Sequence, residues 1–225
     1  MRKTVLYLLA LTSLLTAPAW AATVGYTDQS SWSTAVGGGI QLIDFESYVV
    51  GTHIDDQLPG ISGVVGESPN GAAQPTIDSS TNLPFPMFEG GTLPTEPQFL
   101  SNGMSAAEGY STGSIRFDFS QGVASIGAFI VDGSPLANFS IELFDENQNI
   151  TGSYISPPRN LTSSTGFIGI TSDSLFYSAR FASLSSNDSW GIDNLQYSVV
   201  PIPAAAWLFG SALAGLGWLR RKQSI

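Results

Sequence analysis

Residues 114–133 read SIRFDFSQGVASIGAFIVDG, and their pattern decides the fold class. Ile115, Phe117 and Phe119 alternate with Arg116 and Asp118. A period of two marks a strand with one buried and one solvated face. Further on, Ile126, Ala128 and Ile130 fall on one side and Phe129 and Val131 on the other. Gln121-Gly122 between the two runs reads as a turn. Downstream, residues 138–155 (NFSIELFDENQNITGSYI) read as a hairpin. Phe139, Ile141 and Leu143 point inward, Asp145 to Asn149 turns, and Ile150 to Ile155 returns. Phe167 to Ile170, Leu175 to Leu184, Ile192 to Val199 and Ile40 to Phe45 complete the series of strands.

No part of this body sustains apolar residues at helical spacing. A short helix is expected at Ser30 to Ala35, with Gln29 to Trp32 capping and stapling its first turn. About eight to ten short strands with polar connections predict an all-β fold, a two-sheet sandwich of jelly-roll type. The stretch from about Gly66 to Ser111 holds Pro69, Pro75, Pro84, Pro86, Pro94 and Pro97 and reads as irregular, with room for an edge strand such as Phe85 to Phe88. No fixed-period repeat is present, which argues against solenoids and propellers.

The ends of the chain differ from this body. MRKTVLYLLALTSLLTAPAWAA begins with Arg2 and Lys3, continues through an apolar run from Val5 to Leu15, and closes on Ala19-Trp20-Ala21. These are the three parts of an export signal, so residues 1–21 are expected to be removed and the mature chain to start at Ala22. At the other end, Ala204 to Leu219 carries no charge and is followed by Arg220, Arg221 and Lys222. As a helix it would be about 24 Å long, a short membrane span, and the basic cluster predicts a cytoplasmic C-terminus. Residues 22–199 then form one extracellular domain and residues 200–225 an anchor.

Charge and cysteine content narrow the function classes. All 18 acids lie between Asp28 and Asp193, against Arg116, Arg159 and Arg180, so the body carries −15. Such a field disfavours nucleic acid and anionic lipid, both of which require clustered cations. The chain has no cysteine, which excludes disulfides, thiol nucleophiles and thiolate metal sites.

Residues 200–211, VPIPAAAWLFGS, with the apolar helix and Arg220-Arg221-Lys222 behind them, resemble the PEP-CTERM sorting signals of Gram-negative bacteria. They are most similar to the VPLPA variant, which has an apolar residue, here Ile202, between Pro201 and Pro203. Ala204 and Trp207 follow in the expected order. The resemblance implies an exosortase-type membrane transpeptidase as partner, which would cut near the prolines and pass the body to the outer surface or the extracellular matrix. It also implies an association with exopolysaccharide and biofilm. A tail that simply remains as a permanent single-span anchor is the competing reading. The segments IDFESYVVGTHIDD, SIRFDFSQGVASIGAFIVDG, GFIGITSD and SWGIDNLQYSV resemble the jelly-roll cargo often joined to such tails, a likeness of strands and turns rather than of site residues.

Catalytic signals are few. His53 is the only histidine, and no G-x-S-x-G elbow or phosphate loop accompanies it. The reading is therefore of a non-enzymatic protein, with a glycan-active enzyme as runner-up. Two candidate sites follow from residue types. Asp44 and Glu46 beside the first strand and Asp193-Asn194 at the last would bring oxygens together for a structural Ca²⁺ if those strands are neighbours. Trp32, Trp190, Tyr110 and Tyr154 sit among polar residues, where a ring face could stack on a sugar.

Overall fold

The computed structural model describes residues 22–68, 71–79, 98–102, 113–131, 138–158, 166–184 and 190–199. Eleven strands and one helix follow in order. They are β1 (Thr23–Tyr26), α1 (Gln29–Val36), β2 (Ile40–Ile43), β3 (Ile61–Ser68), β4 (Gly71–Ala73) and β5 (Thr76–Ser79), then β6 (Gln98–Ser101), β7 (Ser114–Val131), β8 (Phe139–Phe144), β9 (Ile150–Ile155), β10 (Gly166–Ser183) and β11 (Gly191–Val199). All pairings are antiparallel. The all-β expectation holds at this level.

The arrangement of strands differs from the expected set of short ones. β7 and β10 are 18 residues each; β7 continues through the expected Gln121-Gly122 turn, and β10 joins the two expected strands Phe167 to Ile170 and Leu175 to Leu184. Their shared ladder runs from Ala182↔Ser114 to Gly166↔Ile130, irregular only between Thr171 and Ser178. A Cβ on Gly122 would lie 3.1 Å from Leu175 and 3.2 Å from Tyr177, close enough that those side chains would have to give by a few tenths of an ångström.

Because β7 and β10 pass through the whole molecule, one hydrogen-bonded sheet serves both halves. In the first half β3 and β8 flank the β7–β10 ladder, with β4 beyond β3 and β9 beyond β8. In the second half β1 and β11 flank it, and β11 pairs on its far edge with β2 and β6, then β5. The halves face one core. Ile115, Phe117, Phe119, Ile141 and Phe181 enter it from the first half, and Ile126, Ile130, Ile170, Ile192 and Leu195 from the second, all buried. Phe119 of β7 meets Tyr197 of β11 across the interior at 5.2 Å between ring centroids. Burial of each large side chain here contributes about 1.5–3 kcal/mol.

Two local readings need correction. The stretch from Gly66 to Ser111 contains the end of β3 and all of β4, β5 and β6, although Phe85 to Phe88 lies outside the described residues. Helix α1 begins at Gln29, with Asp28 as its N-cap accepting from Ser31 N at 2.8 Å, and ends at Gly37, whose φ of 77° suits glycine. No helix among the described residues is long and apolar enough to cross a membrane.

Candidate functional site

The outward face of the second half is built in three rows across β10, β7 and β11. Phe167, Phe129 and Asp193 form the first, Gly169, Gly127 and Gln196 the second, and Thr171, Ser125 and Ser198 the third. The glycine pair leaves a floor without side chains, against which the Trp32 and Phe167 rings pack. A Cβ at Gly169 would sit 2.8 Å from Trp32 and from Phe167, and one at Gly127 would sit 2.5 Å from Phe167. Trp32 fills this floor from α1, fully buried, with its ring 5.7 Å from Phe167 and its Nε1 donating to Ile170 O at 3.3 Å.

That contact seats α1 so that its C-terminal end overhangs the hydroxyl row. Between them lies a cavity of about 240 Å³, walled by Ala35, Val36 and Gly38 and floored by Ala124, Ser125, Thr171, Ser172 and Ser198. At about 30 Å³ per water it has the volume of roughly eight waters, of the order of one sugar ring. Ser198 Oγ donates to Gly38 O at 3.3 Å and Ser172 Oγ accepts from Ser174 N at 3.2 Å. Ser125 is 3% exposed and its Oγ has no hydrogen-bond partner. No ionisable side chain lines this site. Hydroxyls both donate and accept, so the row suits a neutral, hydroxyl-rich partner.

The opposite outward face, on the first half, carries charge. Arg116 and Arg180 are direct cross-strand partners and are the lysine or arginine residues among those described. Arg116 pairs with Asp118 at 3.1 Å. Arg180 bridges Glu142 and Glu67, the latter at 3.0 Å, and lies over the Phe144 ring at 5.6 Å. The like charges are each neutralised by their own carboxylates, so this face is a structural ion network.

The aromatic site expected from sequence is not assembled. Trp32 and Trp190 are 0% and 1% exposed, and a buried ring has no face to offer a sugar. Trp32 anchors α1, and Trp190 packs edge-on against Phe139 at 5.3 Å in the core. Tyr154 lies half-buried over the bare backbone of Gly25, and burial pushes its hydroxyl pKa up. Tyr110 lies outside the described residues, as do Ala19, Ala21, Pro201, Ile202, Pro203, Ala204, Trp207, Arg220, Arg221 and Lys222. Ala22 is exposed, and its carbonyl accepts from Asp173 N at 3.2 Å.

The strands expected to neighbour each other for calcium do so: β2 pairs β11 with Ile43 opposite Leu195. Their oxygens are otherwise engaged. Glu46 Oε1 accepts from Gln98 N at 3.0 Å, Asp44 Oδ1 from Glu46 N at 3.3 Å, and Asp193 Oδ1 from Asn194 N at 2.6 Å. No three histidine or acidic side chains among the described residues group as a metal site, so Asp44, Glu46, Asp193 and Asn194 are not assembled as one. Positive φ at Phe45 and Asn194 marks the point where β11 passes from pairing with β6 to pairing with β2. His53 Nδ1 lies 2.9 Å from Thr76 Oγ1 in an isolated bridge, a loop-holding role.

The hydroxyl row was not identified from sequence. Ser125, Thr171 and Ser198 are far apart in the chain and ordinary in type; only the register of three strands aligns them. No family model matches this chain, and no curated protein does. Among solved structures it is similar to the K2 cleaved adhesin domain of Lys-gingipain, with 11% identity, 71% of this chain and 98% of that one covered, and a TM-score of 0.48. It is also similar to a family 35 carbohydrate-binding module from Clostridium thermocellum, with 10% identity, 72% and 100% covered, and a TM-score of 0.39. A Streptococcus pneumoniae fucose binding module, SpX-3, matches with 13% identity over 41% of this chain and 69% of that one, at a TM-score of 0.32. At these values the likeness assigns neither ligand nor site residue to this chain.

Proposed function

We propose that this chain is an exported, non-enzymatic surface or extracellular-matrix protein whose jelly-roll body contacts a neutral polysaccharide through the cavity beside α1. The observation that carries the reading is the row of neutral hydroxyl residues, Thr171, Ser125 and Ser198, that lines that cavity with no ionisable side chain among them. The tail supports the first part of it: residues 200–225 act as a sorting signal that anchors the precursor in the inner membrane until an exosortase-type transpeptidase removes it.

Affinity electrophoresis of the body through gels containing the producing cell's exopolysaccharide tests the contact. Retardation is expected for the native protein. Loss of retardation is expected for Thr171→Val, with its thermal midpoint preserved. Equal mobility with and without polysaccharide would refute the binding reading. The intact mass of the mature protein tests the sorting: a C-terminus near Pro201 to Pro203, dependent on the exosortase, is expected. A full-length C-terminus in the inner membrane would leave a permanent anchor instead.

A further inference from the structure

The hydroxyl row extends further than the cavity does. Val24 of β1 pairs with Thr171, Thr171 with Ser125, Ser125 with Ser198, and Ser198 with Ile40 of β2. Directly paired residues of antiparallel strands share a face, so all five lie in one outward row across β1, β10, β7, β11 and β2. The cavity takes only the middle three. Both ends of the row are apolar, with Val24 51% exposed and Ile40 half-buried. Helix α1 runs beside this row rather than across it. It starts three residues after Tyr26 of β1, seats Trp32 against Gly169 of β10, and is followed by Gly38, whose carbonyl accepts from Ser198 of β11.

From this placement we infer that the cavity is the middle of a longer groove, which takes about three consecutive units of a linear, neutral polysaccharide laid across the strands alongside α1. The inference rests on the contact proposed above and adds the length and direction of its ligand. At about 4.8 Å per strand the row is about 19 Å long, of which the three hydroxyl residues span about 10 Å. A ring seated in the cavity therefore leaves about 5 Å of row on each side, room for one more ring at either end. The middle ring exchanges hydrogen bonds with hydroxyls that both donate and accept. Each flanking ring lays its C–H face on an aliphatic side chain, Val24 on one side and Ile40 on the other, and takes that surface out of water. No charged residue lies in the row, so salt leaves the contact unchanged.

Fragments of the producing cell's exopolysaccharide, graded in length from a single unit upward, are used to displace the purified full chain from that polysaccharide in affinity gels. Potency is expected to rise about three- to tenfold with each unit up to about three and to level off beyond, the effect of withdrawing one or two methyl-sized groups from water at each end. Val24→Gln should remove about one such step for the longer fragments while leaving the single unit unchanged, and Val24→Ile should keep it. Val49→Gln, at a loop residue that is 76% exposed and outside the row, should bind every fragment as the native protein does.

A single unit as potent as the longer fragments would overturn the inference and leave the cavity as a pocket for one ring. So would a Val24→Gln chain that loses the single unit and the longer fragments alike, since Val24 would then act through the fold, or one that binds all of them as the native chain does. Failure of the polysaccharide contact itself is seen separately, as migration of the native chain unretarded by the intact polymer, and it removes the groove with it.

Discussion

Replacing Gly169 by alanine tests how α1 is held on the sheet, and with it the wall of the cavity. The added Cβ would lie 2.8 Å from both Trp32 Cδ1 and Phe167 Cε1, well inside the roughly 3.5–4.0 Å of favourable carbon contact. Neither ring has room to retreat. Trp32 is fully buried and hydrogen-bonded to Ile170 O, and Phe167 is packed edge-on against Phe129 at 5.4 Å. Overpacking of this kind costs about 1–3 kcal/mol. The lower backbone entropy of alanine in the unfolded chain offsets about 0.5–1 kcal/mol. A net loss of about 1–2 kcal/mol is expected, which for a domain of this size lowers the melting temperature by about 2–8 °C. Calorimetry with near-UV circular dichroism reads this directly. Trp32→Ala alone should cost about 3–5 kcal/mol. In that background Gly169→Ala should be milder by at least about 0.5 kcal/mol, because one of the two obstructing rings is gone. A Gly169→Ala protein that melts at or above the native temperature would refute the reasoning, as would an identical cost in both backgrounds.

Other outcomes follow from the same geometry. Trp190→Ala should destabilise the domain by about 3–5 kcal/mol, seen as a lower thermal midpoint, since it removes a core ring; loss of polysaccharide binding at unchanged stability would contradict its burial. Burial pushes the Glu67 carboxyl up, but hydrogen bonds from Arg180 and Ser114 and the charges of Arg180 and Arg116 outweigh it and hold the pKa below its ordinary 4.5. Its stabilisation is therefore complete above about pH 4.5 and is lost as pH falls through the folded value. Because this side chain is 41% exposed, the effect is modest; urea titrations between pH 3 and 6 should show it flattened in Arg180→Met. Millimolar Ca²⁺ should leave the thermal midpoint unchanged, since Glu46 and Asp193 already accept backbone N–H groups; a rise reversed by EDTA would reinstate the calcium site.

The parts of the fold legible in sequence are those with local causes. The β8–β9 hairpin is marked by alternation on both arms and by Asp145, whose Oδ1 accepts from Asn147 N and Asn149 N at 2.8 Å to close the turn. Gln121-Gly122 has the residue types of a turn, yet the β7–β10 ladder continues past it, and long-range pairing decides between turning and bending. β5 and β6 span four residues each, too few for a periodic signal, and exist because β11 offers an edge. The aromatic candidates failed for a related reason. Polar sequence neighbours say nothing of which face a residue presents, and Trp32 is buried by the Gly127–Gly169 floor supplied from two distant strands. The same dependence on register hid Ser125, Thr171 and Ser198.

The two 18-residue strands also bear on how the chain folds. Every pair in their ladder, from Gly166↔Ile130 to Ala182↔Ser114, joins residues dozens of positions apart, with the β8–β9 hairpin in the intervening loop. Loop-closure entropy must be met before any of these pairs forms, which places the domain among proteins that fold in about milliseconds to seconds. Neither half can persist without the other, because each takes its central strands from the same two segments. Heating should therefore melt the body in a single cooperative transition, and no cut of the chain between residues 114 and 183 would yield two independently stable pieces.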